Sequence, residues 1–289
     1  MIVRRSAILA SVVGAMLAVS ALPAAADVCD LTTKGSNCGP GNFGTPNNPN
    51  NKLPAGWAMG AIFEQINPQP TGTGYIDSFL RLQNHPTEQG YNTDARPFQQ
   101  DQKDPLNYTH ALNINEVPVV AINDGTNTIN YREFFLDINE SDSSRGSPLS
   151  LDKLQIFLGP NNLLNNYSNG TLNGLTPIYN MDAGPTSSGT PDNWIKLSYA
   201  LNNGGSGVGD MVAYIPDSLF TNTQQNPYVY LYSAFGYQAG FGSDAGFEEC
   251  WVKHSQVTPQ TPVPEPASLV LFGSGLILAA KRYRKQRHG

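Results

Sequence analysis

The sequence predicts an all-β protein, an antiparallel two-sheet sandwich or jelly roll, framed by an N-terminal signal peptide and a short C-terminal membrane helix. Three observations predict it. The chain has 28 Gly and 22 Pro among 289 residues, and together with abundant Asn, Ser, Thr and Tyr this suits short strands joined by many turns. No amphipathic helical period of any length is present. Apolar and polar residues alternate instead, most cleanly in WIKLSYAL, where Ile195, Leu197, Tyr199 and Leu201 fall on one side and Lys196, Ser198 and Ala200 on the other.

The elements follow in order. Residues 1–26 read as a signal peptide: Arg4 and Arg5 precede an apolar run ending in Ala24, Ala25 and Ala26, so Asp27 begins the exported chain. Residues 27–56 read as a Cys loop and a polar linker. Three cysteines in an exported chain invite pairing, and Cys29 and Cys38 are close enough to staple the loop between them. The odd count leaves connectivity open, with Cys250 either buried and inert or tying the ends of the domain together.

Residues 57–255 form the predicted β-sandwich, with strands starting at Trp57. WAMGAIFEQI and YIDSFLRLQN are the first two, and the polar stretch from His85 to Asn107 is a functional loop or an excursion over a sheet. The clearest hairpin runs from Val117 to Asn139, where Asn123, Asp124 and Gly125 tolerate positive φ between two β-prone runs. In its second strand Phe134, Leu136 and Ile138 alternate with Glu133, Phe135 and Asp137, so one face looks inward. LQIFL, WIKLSYAL, MVAYIP, YVYLYSAFG and FEECWV complete roughly eight to ten strands, the number expected of a two-sheet fold. Residues 256–262 are a linker to the terminal segment 263–289.

Charge restricts partners. Of 17 Lys and Arg, two lie in the leader and five in the tail, which leaves ten against 23 Asp and Glu and a body near −13. That disfavours nucleic acid, which needs a basic stripe.

At the C-terminus, the run from Ala267 to Ala280 would make a helix of about 21 Å, short of a hydrocarbon core of roughly 30 Å. Lys281, Arg282 and Arg284 can reach headgroups and hold the end on the cytoplasmic side. The order Pro264, Glu265, Pro266, apolar run and basic end resembles the PEP-CTERM sorting signal of Gram-negative bacteria. That resemblance implies an exosortase acting near the Pro-Glu-Pro motif, a transient inner-membrane-anchored precursor, and release or transfer to the cell surface or extracellular polysaccharide matrix. The body is similar to a group of uncharacterised exported PEP-CTERM proteins in TEQGYNTDARP, YREFFLDINE, GSGVGDMVAYIPDSLF, YVYLYSAFG and AGFEEC. This second resemblance implies no activity.

Catalytic motifs are missing from the sequence: it has no G-x-S-x-G, no H-E-x-x-H and no phosphate-binding glycine loop, and its histidines are scattered. Glu248 and Glu249 are neighbours on a strand and point to opposite faces, so they are not themselves a glycosidase pair. The expected cofactor, if one binds, is calcium. DINESD offers Asp137, Asn139, Glu140 and Asp142 at a strand end, with Asp182 and Asp210 available from other strands, and calcium takes six to eight such oxygens. This is not an EF-hand, since the sixth position is Asp142 and the twelfth Pro148. The competing reading is that these residues cap turns. Tyr228, Tyr230 and Tyr232 share one strand face and are the candidate sugar-stacking platform, set against the more ordinary role of filling space between sheets.

The expected function is a structural or adhesive protein of the cell surface or biofilm matrix, processed by an exosortase and not an enzyme. A carbohydrate-binding module for exopolysaccharide is the alternative. A glycan-active hydrolase with an unrecognised carboxylate pair comes third.

Overall fold

The period-two alternation read from the sequence sorts the body into two sheets whose inner faces meet in one core. The computed structural model describes residues 27–39, 53–54, 56–66, 78–104, 107–123, 127–140, 148–185, 192–202, 209–244 and 246–253. The predicted signal peptide, the linker 256–262, the terminal segment with Pro264, Glu265 and Pro266, and Asp142 all lie outside the described residues.

Sheet one runs β1 (Val28–Asp30), β13 (Trp194–Ser198), β9 (Pro148–Gly159), β15 (Tyr228–Phe235) and β5 (Glu88–Tyr91), with β12 (Tyr179–Asn180) added to β9 and β6 (Leu112–Asn113) to β15. Sheet two runs β2 (Asn37–Cys38), β3 (Ile62–Gln65), β14 (Met211–Pro216), β8 (Thr128–Asp137), β16 (Glu248–Trp251) and β4 (Ser78–Leu82), with β7 (Val119–Asn123) added to β8. A hairpin of β10 (Tyr167–Ser168) and β11 (Thr171–Leu172) stands outside both sheets. Among the described residues the ladders are antiparallel except for β1 on β13.

The core is the expected layer of alternate side chains. Leu149, Leu151, Ile195, Leu197, Val229, Leu231 and Phe235 come from sheet one, and Phe63, Leu80, Phe134, Leu136, Ile215 and Cys250 from sheet two, all buried in one cluster. Each large side chain withdrawn from water in this way stabilises the fold by about 1.5–3 kcal/mol. Cys250 is a free, buried thiol whose pKa burial pushes up to about 12, so it is a packing residue and not a tie between ends.

Three expectations are corrected. The Cys loop is part of the sandwich: β1 is an edge strand of sheet one and β2 an edge strand of sheet two, and a disulfide between Cys29 and Cys38 joins them. The β-domain therefore begins at Val28, because a three-residue strand becomes stable once a distant partner, β13, supplies its ladder. Trp57 does not open a strand. Trp57–Gly60 is a 3₁₀ turn with Ala58 and Met59 at positive φ, and the strand proper is Ile62–Gln65. The polar stretch from His85 contains β5, whose Glu88–Tyr91 ladder closes the edge of sheet one against β15.

Candidate functional site

The outer faces of the sheets differ, and the difference defines the site. Tyr230 and Tyr232 project from the outer face of sheet one, but they are 0 % and 2 % exposed. The chain from Pro160 to Ile178 folds back over them. Tyr167 stacks on Tyr232 with ring centroids 3.9 Å apart, Leu164 and Leu172 pack against the same cluster, and the Tyr230 hydroxyl donates to the Asn161 carbonyl at 2.6 Å. Tyr228 is partly buried at the rim. The predicted sugar platform is therefore corrected. These rings are the floor of a second, smaller core, covered by the protein's own hairpin.

The outer face of sheet two has a comparable aromatic floor and an opening above it. Glu64, Val212, Phe135 and Trp251 lie in one cross-strand row, and Tyr214 is beside Glu133 in the next. Phe135 and Trp251 stack at 4.4 Å, and Ile66 and Tyr214 pack against them. A groove of about 440 Å³ runs over this floor, lined by Lys34, Gly35, Glu64, Gln65, Ile66, Phe135, Tyr214 and Lys253.

One wall is held by the disulfide loop. The Gly35 N–H donates to Gln65 Oε1 at 2.8 Å, and the Gln65 N–H to the Ser36 carbonyl at 2.8 Å. At the other side, Lys253 Nζ sits 4.6 Å over the Phe135 ring and 3.6 Å from Glu133. Burial raises the pKa of Glu64, and burial followed by the charges of Glu64 and Glu133 raises that of Tyr214 to about 12, so the Tyr214 hydroxyl stays protonated. Among the described residues, the Lys34 and Glu64 side chains have no hydrogen-bond or ion-pair partner.

Further along the same face, Arg81 forms an ion pair with Glu249, with Nε donating to Oε1 at 2.6 Å. Its guanidinium lies 3.5 Å from the Tyr108 ring centroid and 4.8 Å from that of Phe247. Asp137 stands opposite Glu249 in the ladder and faces outward, away from the core.

A different chemistry occupies one end of the core. Glu88 from β5 and Glu248 from β16 point inward from opposite sheets and meet, and Glu140, just past β8, joins them. The three are 0 %, 1 % and 4 % exposed. Gly246 makes this meeting possible, because a Cβ there would clash with the Asn139 carbonyl. Glu88 Oε2 accepts from the Asn84 N–H at 3.0 Å, and Glu140 Oε2 from the Asp244 N–H at 2.8 Å. The Glu88 and Glu248 carboxyls are in side-chain contact, Glu248 also meets the Asn139 backbone, and Glu140 meets the Asp244 carboxyl.

Two carboxyls in contact inside a protein cannot both ionise cheaply, so a proton lies between Glu88 and Glu248. Burial first, then the neighbouring carboxylates, raises Glu140 to about 8 and Glu248 well above the ordinary range. Burial raises Glu88 to about 7, against the lowering effects of its contact with Glu248 and the Asn84 N–H.

Of the six residues expected to hold calcium, Asp142 lies outside the described residues and the other five are not brought together. Asp210 is a structural clip: its Oδ2 accepts from the Ile138 N–H at 2.9 Å and its Oδ1 from Asn202 Nδ2 at 2.7 Å, while burial raises its pKa to about 7. Asp182 lies in the turn after β12, where it accepts from the Asn193 N–H at 3.1 Å, and burial raises it to about 6. Asp137 faces outward, the Asn139 backbone packs on Gly246, and only Glu140 joins other carboxyls. Among the described residues, no group of three or more His, Cys, Asp or Glu is arranged to hold a metal ion.

Sequence reasoning missed Glu88, Glu64 and Tyr214. Glu88 shares its strand parity with Gly90 rather than with an apolar residue, and nothing local says that Glu248 lies across from it.

Comparison with known proteins bears on the chain's other end. The PEP-CTERM protein-sorting motif is matched at residues 262–285. The chain carries this motif. It is thus an exported, exosortase-processed protein with a transient membrane-anchored precursor. No curated protein and no solved structure matches it, so the broader likeness of the body to a group of exported PEP-CTERM proteins has no support from relatives. Among the described residues no helix is long and apolar enough to cross a membrane.

Proposed function

We propose that the mature protein is a structural or adhesive component of the cell surface or biofilm matrix of a Gram-negative bacterium, associated with exopolysaccharide and without catalytic activity. The observation that carries this reading is the sorting motif at 262–285 on a chain whose body is a β-sandwich. The contacting carboxyl pair of Glu88 and Glu248 supports the non-enzymatic reading over a glycosidase. It is sealed in the core, where neither a sugar nor the water of an inverting mechanism reaches it.

The test is cell fractionation with mass spectrometry of the protein, and matrix cohesion in a strain lacking it. Extracellular protein ending near Pro266, with cohesion reduced in the deletion strain, is the expected result. Intact protein resident in the cytosol, or polysaccharide turnover abolished by one Asp or Glu substitution, would overturn it.

Carbohydrate binding is the second reading, favoured by the groove on sheet two. Calcium remains a proposal for the acidic strand end that carries Asp137, Asn139 and Glu140. A bound ion would raise the melting temperature by mass action, and Glu140→Gln would remove that rise. An unchanged melting temperature at millimolar calcium and alkaline pH eliminates it.

A further inference from the structure

We propose that the groove on the outer face of sheet two is a saccharide site that takes a short stretch of a neutral polysaccharide. The inference rests on the matrix reading above and names the ligand class of this site. A pyranose ring has an apolar face of C–H groups and an edge of hydroxyls that both donate and accept. Its receptor must therefore supply an aromatic surface together with separate donors and acceptors.

The groove supplies each part. Tyr214 and Phe135 form its aromatic lining, backed by Trp251 at 4.4 Å from Phe135. Glu64 is an acceptor and Lys34 a donor, and neither side chain is engaged elsewhere among the described residues. The protonated Tyr214 hydroxyl can serve as either. At about 440 Å³ the groove falls within the roughly 300–1,000 Å³ of small-molecule sites.

Charge selects the class of sugar. Lys253 is paired with Glu133, and Lys34 and Glu64 both line the groove, so its charges balance and no surplus cation is left to favour uronic acids or sulfated chains. The wall is preformed, because the loop carrying Lys34 and Gly35 is closed by the Cys29–Cys38 bridge and bonded to Gln65 at both Gly35 and Ser36. Preorganisation of this kind reduces the ordering cost of binding. The tyrosine row of sheet one has the same ring chemistry but is covered.

Isothermal titration of the exported protein with short fragments of neutral glucans, galactans and mannans, and with uronic-acid fragments, tests the assignment. Saturable binding of a neutral fragment is expected, weakened about tenfold or more by Tyr214→Ala through loss of the ring contact. Lys34→Ala and Glu64→Gln should each weaken it severalfold, and Tyr237→Ala, an exposed ring elsewhere, should leave it unchanged. Lys34 is exposed and Glu64→Gln is isosteric, so these two variants keep the fold and the test stays decisive if Tyr214→Ala does not. Binding of no fragment, a preference for the uronic-acid fragments, or affinity untouched by Lys34→Ala and Glu64→Gln overturns the site. A correctly exported protein that binds none of the panel refutes this site and leaves the matrix reading standing, whereas a cytosolic protein refutes that reading whatever it binds.

Discussion

The two outer faces of this sandwich start from similar material and end differently. Sheet one presents Tyr91, Phe157, Tyr230 and Tyr232, and sheet two presents Phe135, Tyr214 and Trp251. Over the first, an internal hairpin places Leu164, Tyr167 and Leu172 and excludes water. Over the second, the disulfide loop and Lys253 border a groove and leave it open. An aromatic row is thus not in itself a binding surface. What the chain lays over the row decides whether the rings contribute stability or recognition.

The largest expected effect comes from removing the cover. Leu172→Ala leaves a cavity above the tyrosine row at a fully buried position and should cost about 2–5 kcal/mol in urea unfolding. A loss below about 1 kcal/mol would mean that the hairpin is not a true lid. Next in size is the disulfide. Cys29→Ser with Cys38→Ser frees a short loop and should lower stability by about 2–4 kcal/mol, while loosening the Lys34 wall and weakening saccharide binding. Unaltered affinity would show that the wall is held without the bridge.

The buried carboxyls set a pH dependence of about 2–4 kcal/mol. Their folded-state pKa values are raised, so the folded state holds more protons than the unfolded state between the two. This contribution is fully present below about pH 4.5 and is lost as pH rises through about 7 for Glu88 and about 8 for Glu140. Denaturation midpoints from pH 5 to 9 should fall on the alkaline side, and Glu248→Gln should flatten that fall, since an amide cannot ionise. A profile of unchanged steepness in the variant would remove the proton-sharing account. The smallest effect is at the open face, where Tyr214→Ala should cost only about 0.5–1 kcal/mol despite its consequence for binding, the reverse of Leu172→Ala.

Local pattern made much of the fold legible. The alternation in β13 buries Ile195 and Leu197 as read, the hairpin of β7 and β8 forms where Asn123 opens its turn, and Phe134 and Leu136 face the core. What stayed illegible depends on distant chain. β1 and β2 are too short to signal themselves and exist through β13 and β3. Period two shows that Tyr228, Tyr230 and Tyr232 share a face, yet cannot say that residues some sixty positions earlier cover it. The acidic strand end after β8 was visible, but its partners are Glu88 and Glu248 from two other strands, and register across two sheets is not written in any one segment.

Hydrogen exchange of the exported protein with and without a bound neutral oligosaccharide tests most directly the claim that one face is sealed and the other recognises ligand. The account predicts added protection at residues 34–36, 62–66 and 211–214, with residues 164–172 and 228–235 unchanged. Protection appearing instead along 228–235, with exposure of the 164–172 hairpin, would contradict it.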